Sequence, residues 1–315
     1  METLRIVFMG TPDFAVGILD ELVKHKFNIV GVITAPDRPA GRGRKLNTSA
    51  VKEYAVENSL PVLQPTNLKD ETFLKRLKTL GANLQIVVAF RMLPKVVWQM
   101  PQYGTFNLHA SLLPQYRGAA PINWAIINGE RKTGVTTFFI DEKIDTGAII
   151  LQQEITINPT DTAENLHNAL MRVGASTVIN TVERIQKGNF DTVAQTNLTE
   201  LKPAPKIHRE TCEINWQDSL SDIYNFVRGL SPYPAAWTLL HNGDESIQAK
   251  IYKCHIEENN HDIAMGTVVH SKKEMKVAAK GGFLVLEEIQ LQGKKRMQVS
   301  EVLNGLKLAE NVKMG

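Results

Sequence analysis

LRIVFMGTPDF (Leu4–Phe14) is the stretch of sequence that decides the fold. It opens with a continuous apolar run that ends in Gly10, which is typical of a strand buried on both faces. Pro12 then suits the first turn of a helix, and apolar residues follow at helical spacing. A second apolar strand, NIVGVIT (Asn28–Thr34), completes a βαβ unit. The stretch therefore predicts a parallel sheet with right-handed helical crossovers.

Alternating strands and helices continue through residues 1–189. Further strands are predicted over 84–90, 104–109 and 134–140, and one at the sheet edge over 148–157. Asp161, with Glu164 three residues later, is the pattern of a capping box that opens a long helix. The fold class is thus α/β, with a Rossmann-like, mostly parallel sheet. Because the dinucleotide fingerprint and the Walker sequence are both missing, this sheet does not imply a nicotinamide cofactor.

The composition changes after residue 189. Residues 190–206 contain two closely spaced prolines and predict a linker. In residues 207–315, one short helix that ends at Gly229 precedes a series of short alternating segments. These segments predict a small, OB-like β-barrel. The predicted domains are therefore 1–189 and 207–315, joined by the linker 190–206.

Bulk properties exclude several classes of protein. With 315 residues, 43% of them hydrophobic and 22% charged, the chain is typical of a globular protein. Its two cysteines, Cys212 and Cys254, have no metal-ligand spacing, so neither a disulfide scaffold nor a zinc site is expected. No apolar run is long enough for a signal peptide or a membrane span, which predicts a soluble, cytoplasmic protein.

The net charge of +3 is unevenly distributed. Residues 207–315 hold 13 Lys or Arg against 14 Asp or Glu, so the positive excess lies earlier in the chain. Its densest run is DRPAGRGRK (Asp37–Lys45). A solvated loop is the simplest interpretation of such a run, and a phosphate-binding segment is the alternative.

FNLHASLLPQYRGAAP (106–121) contains the candidate chemistry. Asn107 and His109 lie two residues apart on a strand, so both side chains point to one face. Asp145 follows the strand over 134–140, and in a parallel sheet it would share the carboxyl edge where ligands bind. Asparagine can stabilise an oxyanion, histidine can exchange a proton, and a carboxylate can orient the histidine. Two alternatives remain open, a purely structural Asn–His pair and an Asp145 that only caps its turn.

Four segments in this order resemble the methionyl-tRNA formyltransferases, a family among the enzymes that use formyl-tetrahydrofolate. The segments are GTPDF (10–14), RPAGRGRKL (38–46), NLHASLLPQYRGAAPI (107–122) and IDTG (144–147). The resemblance covers the whole chain. The Asn-x-His-x-Ser-Leu-Leu-Pro motif is common to the wider superfamily, whereas the Arg-rich insertion and the barrel-like domain point to the tRNA branch.

The resemblance implies a role for each matching position. The implied catalytic residues are Asn107, His109 and Asp145. The implied folate site comprises Phe90, Leu93, Ser111, Leu112, Leu113 and Pro114. The implied tRNA contacts are Arg38, Arg42, Arg44 and Lys45. Arg91 and Met92 depart from the Gly-Leu or Gly-Ile of many relatives, which backbone recognition of the pterin ring would tolerate.

The expected reaction is direct attack of the methionyl amine on the formyl carbon of 10-formyltetrahydrofolate, the co-substrate, with initiator methionyl-tRNA as partner. We expect a monomer, no metal and no membrane. No nucleophile elbow accompanies the candidate residues, so a covalent acyl-enzyme is not favoured. Two other hypotheses stay open: a formyltransferase acting on a small amine such as an amino-sugar or ribonucleotide, and a non-catalytic RNA-binding module.

Overall fold

The structure is a computed structural model that describes residues 3–40, 45–188, 190–195 and 200–315. The chain divides into two compact units, and neither is continuous in sequence. The first takes its described residues from Met1–Gly118, Lys132–Ile155 and His167–Pro203, and the second from Ala119–Arg131, Thr156–Leu166 and Ala204–Gly315. Residues of the predicted linker are shared between the two units.

Strands and helices are numbered separately in chain order. The strands are β1 (Ile6–Gly10), β2 (Ile29–Ile33), β3 (Arg38–Ala40), β4 (Lys45–Asn47), β5 (Val62–Leu63), β6 (Leu84–Val88), β7 (Thr105–His109), β8 (Lys132–Phe139), β9 (Ile149–Thr156), β10 (Ala236–Asn242), β11 (Glu245–Glu258), β12 (Val268–His270), β13 (Met275–Ala279), β14 (Gly282–Leu291), β15 (Met297–Gln298) and β16 (Lys313–Met314). The α-helices are α1 (Asp13–Lys24), α2 (Ala50–Glu57), α3 (Glu71–Thr79), α4 (Lys95–Trp98), α5 (Pro121–Ile127), α6 (Ala163–Lys187), α7 (Leu220–Leu230) and α8 (Val299–Gly305).

The first unit is built on a seven-stranded sheet in the order β5-β2-β1-β6-β7-β8-β9. The neighbours from β5 to β7 pair in parallel, which confirms the Rossmann-like α/β class. β1, at the centre of the parallel part, is buried along its whole length. The last residue of β1 is Gly10, and α1 lies so close to it that there is no room for a side chain. A Cβ at this position would lie 2.5 Å from the Cβ of Ala15. The predicted βαβ start of the fold is confirmed.

β8 departs from the parallel pattern. It runs antiparallel to β7, with Phe106 opposite Phe139 and His109 opposite Thr136. The carboxyl end of β8 therefore lies beside the start of β7, so the expectation that β7 and β8 end at the same edge of the sheet was wrong. The connection over 110–131, which contains α5, is long enough for a parallel crossover, so the pairing with β7 and not the length of the connection sets the direction of β8.

The long helix α6 begins one residue later than the predicted capping box of Asp161 and Glu164 implies. Its first residue is Ala163, and the reciprocal bonds are made by Thr162 and Asn165. The Thr162 N–H donates to Asn165 Oδ1 (3.0 Å), and the Asn165 N–H donates to Thr162 Oγ1 (3.3 Å). Asp161 instead accepts a bond from the Asn158 N–H at 2.8 Å. No helix among the described residues is long and apolar enough to cross a membrane.

The second unit contains an antiparallel sheet in the order β12-β13-β14-β11-β10-β16, with β15 added to β14. Its two ends are joined by hydrogen bonds from the Val268 N–H to the Val312 carbonyl (3.1 Å) and from the Met314 N–H to the Gly266 carbonyl (2.7 Å). This closure gives a small barrel and confirms the barrel-like class. Its interior holds buried side chains from the strands and from α7.

α7 packs on α5 in the second unit. Gly229 lies inside α7, not at its end, because the helix continues to Leu230. A Cβ on Gly229 would approach Ile127 to 2.7 Å, and the Gly229 carbonyl accepts a hydrogen bond from Asn123 Nδ2 at 2.8 Å. The glycine predicted as a helix stop thus serves close packing between two helices.

Candidate active site

Strand β7 places Asn107 and His109 on one face of the first sheet, because alternate residues of a strand share a face. His109 is buried, with 6% of its surface exposed, whereas Asn107 is half-buried. Among the residues that the structure describes, none forms a hydrogen bond with the Asn107 amide. The amide is therefore available to a ligand.

The imidazole of His109 is oriented by backbone. Its Nε2 lies 2.8 Å from the carbonyl oxygen of Tyr116. A carbonyl can only accept, so Nε2 carries the hydrogen and Nδ1 is the ring nitrogen left for proton exchange. Nδ1 faces Asp145, whose Oδ2 is 3.8 Å away, which is longer than a hydrogen bond. The structure brings His109 and Asp145 together, while Tyr116 holds the ring.

Asp145 has an unusual backbone. Its φ of +54° is in the left-handed region that non-glycine residues rarely occupy. The carboxylate accepts a bond from the Gly118 N–H at Oδ2 (3.0 Å). The turn itself is capped by Asp141, which accepts bonds from the Lys143 N–H (2.9 Å) and the Thr146 hydroxyl (2.7 Å). The carboxylate of Asp145 is thus directed away from its own turn and toward His109.

The loop Ser111–Pro114 is held by internal hydrogen bonds. Ser111 is fully buried, and its hydroxyl donates to the Gln115 carbonyl at 2.7 Å. Leu113 is 3% exposed. The side chains of Ser111 and Leu113 therefore pack inside the protein. Leu112 and Pro114 are half-buried, so part of their surface is open to a ligand.

Phe90 and Leu93 follow β6 at the neighbouring strand end. Leu93 is buried in the core, and Phe90 is half-buried against the same core. Arg91, exposed overall, directs its guanidinium to the carbonyls of Pro65 and Thr66. Burial lowers the pKa of Arg91, and the positive charge of Arg38 lowers it further. Two guanidinium groups therefore lie within electrostatic range of one another here.

The Arg-rich run begins in a two-stranded hairpin of β3 and β4. Arg38 opens β3, and the backbone of Lys45 opens β4. Arg42 and Arg44 lie outside the described residues. Asp37 anchors the base of the hairpin, since its carboxylate accepts bonds from Lys52 and from Gln64; the Lys52 bond lowers the pKa of Asp37.

Sequence reasoning missed three parts of this site: the Tyr116 carbonyl, the Gly118 N–H and Gln195, which bonds to the loop of Asp145. The Arg117-Gly118 pair was the only signal of the first two. Among the described residues, no group of three or more His, Cys, Asp or Glu side chains could hold a metal ion.

Two family profiles match the chain. The profile described as "Formyl transferase" matches residues 4–182, and the one described as "Formyl transferase, C-terminal domain" matches residues 206–307. The chain therefore belongs to the formyl transferase family.

Curated relatives narrow the class. The chain is 60% identical to a methionyl-tRNA formyltransferase of Flavobacterium johnsoniae, with 100% of both chains covered. It is 52% identical to a methionyl-tRNA formyltransferase of Bacteroides thetaiotaomicron, with 99% of both chains covered. Within the family, the chain belongs to the methionyl-tRNA formyltransferases.

Solved structures share the fold at lower identity. The sugar 3N-formyl transferase WlaRD, solved with dTDP and 5-N-formyl-THF, is 21% identical with a TM-score of 0.65, covering 94% of this chain and 100% of that one. HypX from Aquifex aeolicus, in complex with tetrahydrofolic acid, is 16% identical with a TM-score of 0.66, covering 98% of this chain and 49% of that one. At these identities the likeness shows the fold alone.

Proposed function

We propose that this chain transfers the formyl group of 10-formyltetrahydrofolate to the α-amino group of methionine carried by initiator tRNA. It is an enzyme of the methionyl-tRNA formyltransferase class, as are relatives that match it along their whole length. The observation that carries the mechanism is the position of His109 Nδ1, 3.8 Å from Asp145 and on the sheet face of Asn107.

The reaction needs one bond made and one broken. The amine nitrogen attacks the formyl carbon, and the carbonyl electron pair moves to oxygen, giving a tetrahedral oxyanion. When the oxyanion collapses, the bond from carbon to N10 of the folate breaks. The amine loses one proton and N10 gains one, so the protein has to stabilise the oxyanion and move a proton.

Asn107 and His109 suit the oxyanion. The Asn107 amide donates without first losing a protein partner, and a protonated His109 donates from Nδ1 because Nε2 is held by the Tyr116 carbonyl. Losing one such donor typically lowers the rate about 10²–10³-fold. Asp145 lies where a small movement, or one water molecule, lets it exchange a proton with Nδ1. We assign these roles as proposals.

The segment Phe90–Leu93 suits a folate. None of its backbone N–H or C=O groups is hydrogen-bonded to another described residue. A pterin ring needs such groups along its edge and apolar surface against its faces. Phe90, Leu112 and Pro114 supply half-buried apolar surface in this unit. The formyl-folate supplies the activated carbon, and the residues present hold and orient it.

The hairpin around β3 and β4 suits tRNA phosphates. Arg38 and the chain segment with Arg42, Arg44 and Lys45 concentrate positive charge, and the anchored Asp37 fixes where the segment starts. A nearby anion would relieve the repulsion between Arg38 and Arg91. We propose that this hairpin and the barrel of the second unit contact tRNA, with 1–189 acting as catalytic domain, 190–206 as linker and 207–315 as tRNA-binding domain.

We also propose that the enzyme acts as a monomer in the cytoplasm, where charged initiator tRNA is used. Light scattering of the purified chain measures the first point: a mass near 35.2 kDa is expected, and a stable dimer would contradict it.

The function is tested by incubating the chain with 10-formyltetrahydrofolate and methionyl-tRNA, initiator and elongator in parallel. Formylated initiator tRNA is expected, with kcat/KM falling steeply as salt rises because phosphate contacts release counterions. His109→Ala should lose turnover and keep tRNA binding. A chain that formylates an amino-sugar or ribonucleotide but not the tRNA would overturn the proposal, and full activity in His109→Ala would overturn the mechanism.

A further inference from the structure

Gln195 lies in the segment that follows α6, which the sequence assigns to a linker. This segment is fixed beside the loop of Asp145. Val193 and Ile149 exchange two backbone hydrogen bonds, of 2.8 and 2.9 Å, at the start of β9. Residue 195 therefore follows an anchored position within the first unit.

Both the nitrogen and the oxygen of the Gln195 side-chain amide form hydrogen bonds. Its Nε2 donates to the carbonyl of Asp145 (2.9 Å) and to the carbonyl of Gly147 (2.8 Å). Its Oε1 accepts from Arg117 at Nε (3.1 Å) and Nη2 (2.6 Å). One side chain thus joins the backbone around Asp145 to the loop that follows His109.

These bonds form a closed ring. Arg117 precedes Gly118, whose N–H donates to Asp145 Oδ2 at 3.0 Å. The ring therefore runs from the Asp145 carboxylate through Gly118, Arg117 and Gln195 back to the Asp145 carbonyl. It fixes both the backbone and the side chain of one residue.

The left-handed backbone conformation of Asp145 depends on hydrogen bonds of this kind. A left-handed conformation costs a non-glycine residue free energy, and it persists only where surrounding contacts hold it. Without the Gln195 bonds, the Asp145 and Gly147 carbonyls lose the donor that they share. The peptide could then rotate toward an unstrained conformation, and the carboxylate would move away from His109.

We propose that Gln195 is a positioning residue that holds the Asp145 carboxylate beside His109 for formyl transfer. The inference rests on the proposed catalytic role of Asp145. It predicts that Gln195 acts only through that carboxylate.

A double-mutant cycle tests this prediction. Gln195→Met keeps the length of the side chain and removes all four hydrogen bonds. We expect kcat for formylation of initiator tRNA to fall about 10–100-fold, since small misplacements of catalytic groups have effects of this size, while KM for the formyl-folate changes little. In an Asp145→Asn background, the same change should alter kcat by no more than about twofold.

Gln153→Met is the matched control. Gln153 is exposed on β9, and the one hydrogen bond that its side chain makes among the described residues is a 3.4 Å contact to the carbonyl of Glu154. Gln195→Glu is a second test variant, because it keeps an acceptor for Arg117 and loses the donation to the two carbonyls. It should resemble Gln195→Met in kcat. Thermal unfolding of each variant identifies any that fails to fold.

Amide hydrogen exchange gives a readout that is independent of turnover. Peptides covering 141–148 should exchange faster in Gln195→Met than in the parent, and at the parent rate in Gln153→Met. Suppose that the parent is active. The positioning role alone is then overturned if Gln195→Met leaves kcat unchanged, or if it lowers kcat equally in the Asp145 and Asp145→Asn backgrounds. Unchanged exchange over 141–148 would overturn it too. A parent without formylation activity would instead overturn the proposed function.

Discussion

Thr136 on β8 links the sheet to the loop Ser111–Pro114. Its hydroxyl is fully buried and makes three hydrogen bonds. It donates to the Ser111 carbonyl (2.7 Å), and it accepts from the Leu113 N–H (3.1 Å) and from Gln152 Nε2 (3.0 Å). Replacing it with valine keeps the shape of the side chain and removes all three bonds.

The expected loss follows from that count. A buried hydrogen bond contributes about 1 kcal/mol net, so Thr136→Val should lower the free energy of unfolding by about 3 kcal/mol. The neighbouring Thr137 is an internal comparison, because its hydroxyl makes one bond to a described residue, Thr181 Oγ1 at 2.8 Å. Thr181 keeps the Thr177 carbonyl as a partner, so Thr137→Val should cost about 1 kcal/mol.

Urea unfolding of the parent and the two variants measures the difference at constant m-value. Formylation assays should show a raised KM for formyl-folate in Thr136→Val only, because Thr136 supports the loop proposed to contact the folate. If Thr136→Val costs no more than Thr137→Val, the hydroxyl does not hold this loop, and the structural reasoning fails.

Three further predictions concern single positions. Gly147→Ala should abolish formylation, because a Cβ there would lie 1.7 Å from the carbonyl oxygen of Phe139, whereas Gly305→Ala, with open space around it, should keep full activity. Cys254 should resist Ellman's reagent in the folded protein, since burial raises the pKa of its thiol, and rapid labelling at pH 8 would contradict this. The pKa of Glu287 is lowered, chiefly by a lysine hydrogen bond, so its stabilising contribution is present above its usual value of 4.5 and is lost as pH falls through the lowered value. Glu287→Gln should therefore flatten the acid limb of thermal stability, and an unchanged limb would refute that assignment.

Local pattern was sufficient for much of the fold. The apolar run into Gly10, the helical spacing after Pro12 and the alternating segments after residue 235 all became the predicted elements. Strand periodicity also placed Asn107 and His109 on one face. These features depend on neighbours in sequence, which is why a single chain reveals them.

The remainder depends on contacts between distant residues. The direction of β8 is set by pairing with β7, and no local pattern encodes it. The imidazole is held by a backbone carbonyl, which every residue carries, so the identity of Tyr116 gave no signal. Gln195 is 50 residues from Asp145 in a segment whose composition indicated only a linker.

The second unit is assembled from three separate segments of the chain, which affects how fragments of this enzyme can be expressed. A fragment that lacks the predicted linker 190–206 and starts at residue 207 would contain the barrel and α7 but not α5. The Ile127 side chain that meets Gly229 would be missing, and the α7 face that it covers would be open to water. Such a fragment should aggregate or bind hydrophobic dyes, and grafting residues 119–131 back should restore its solubility.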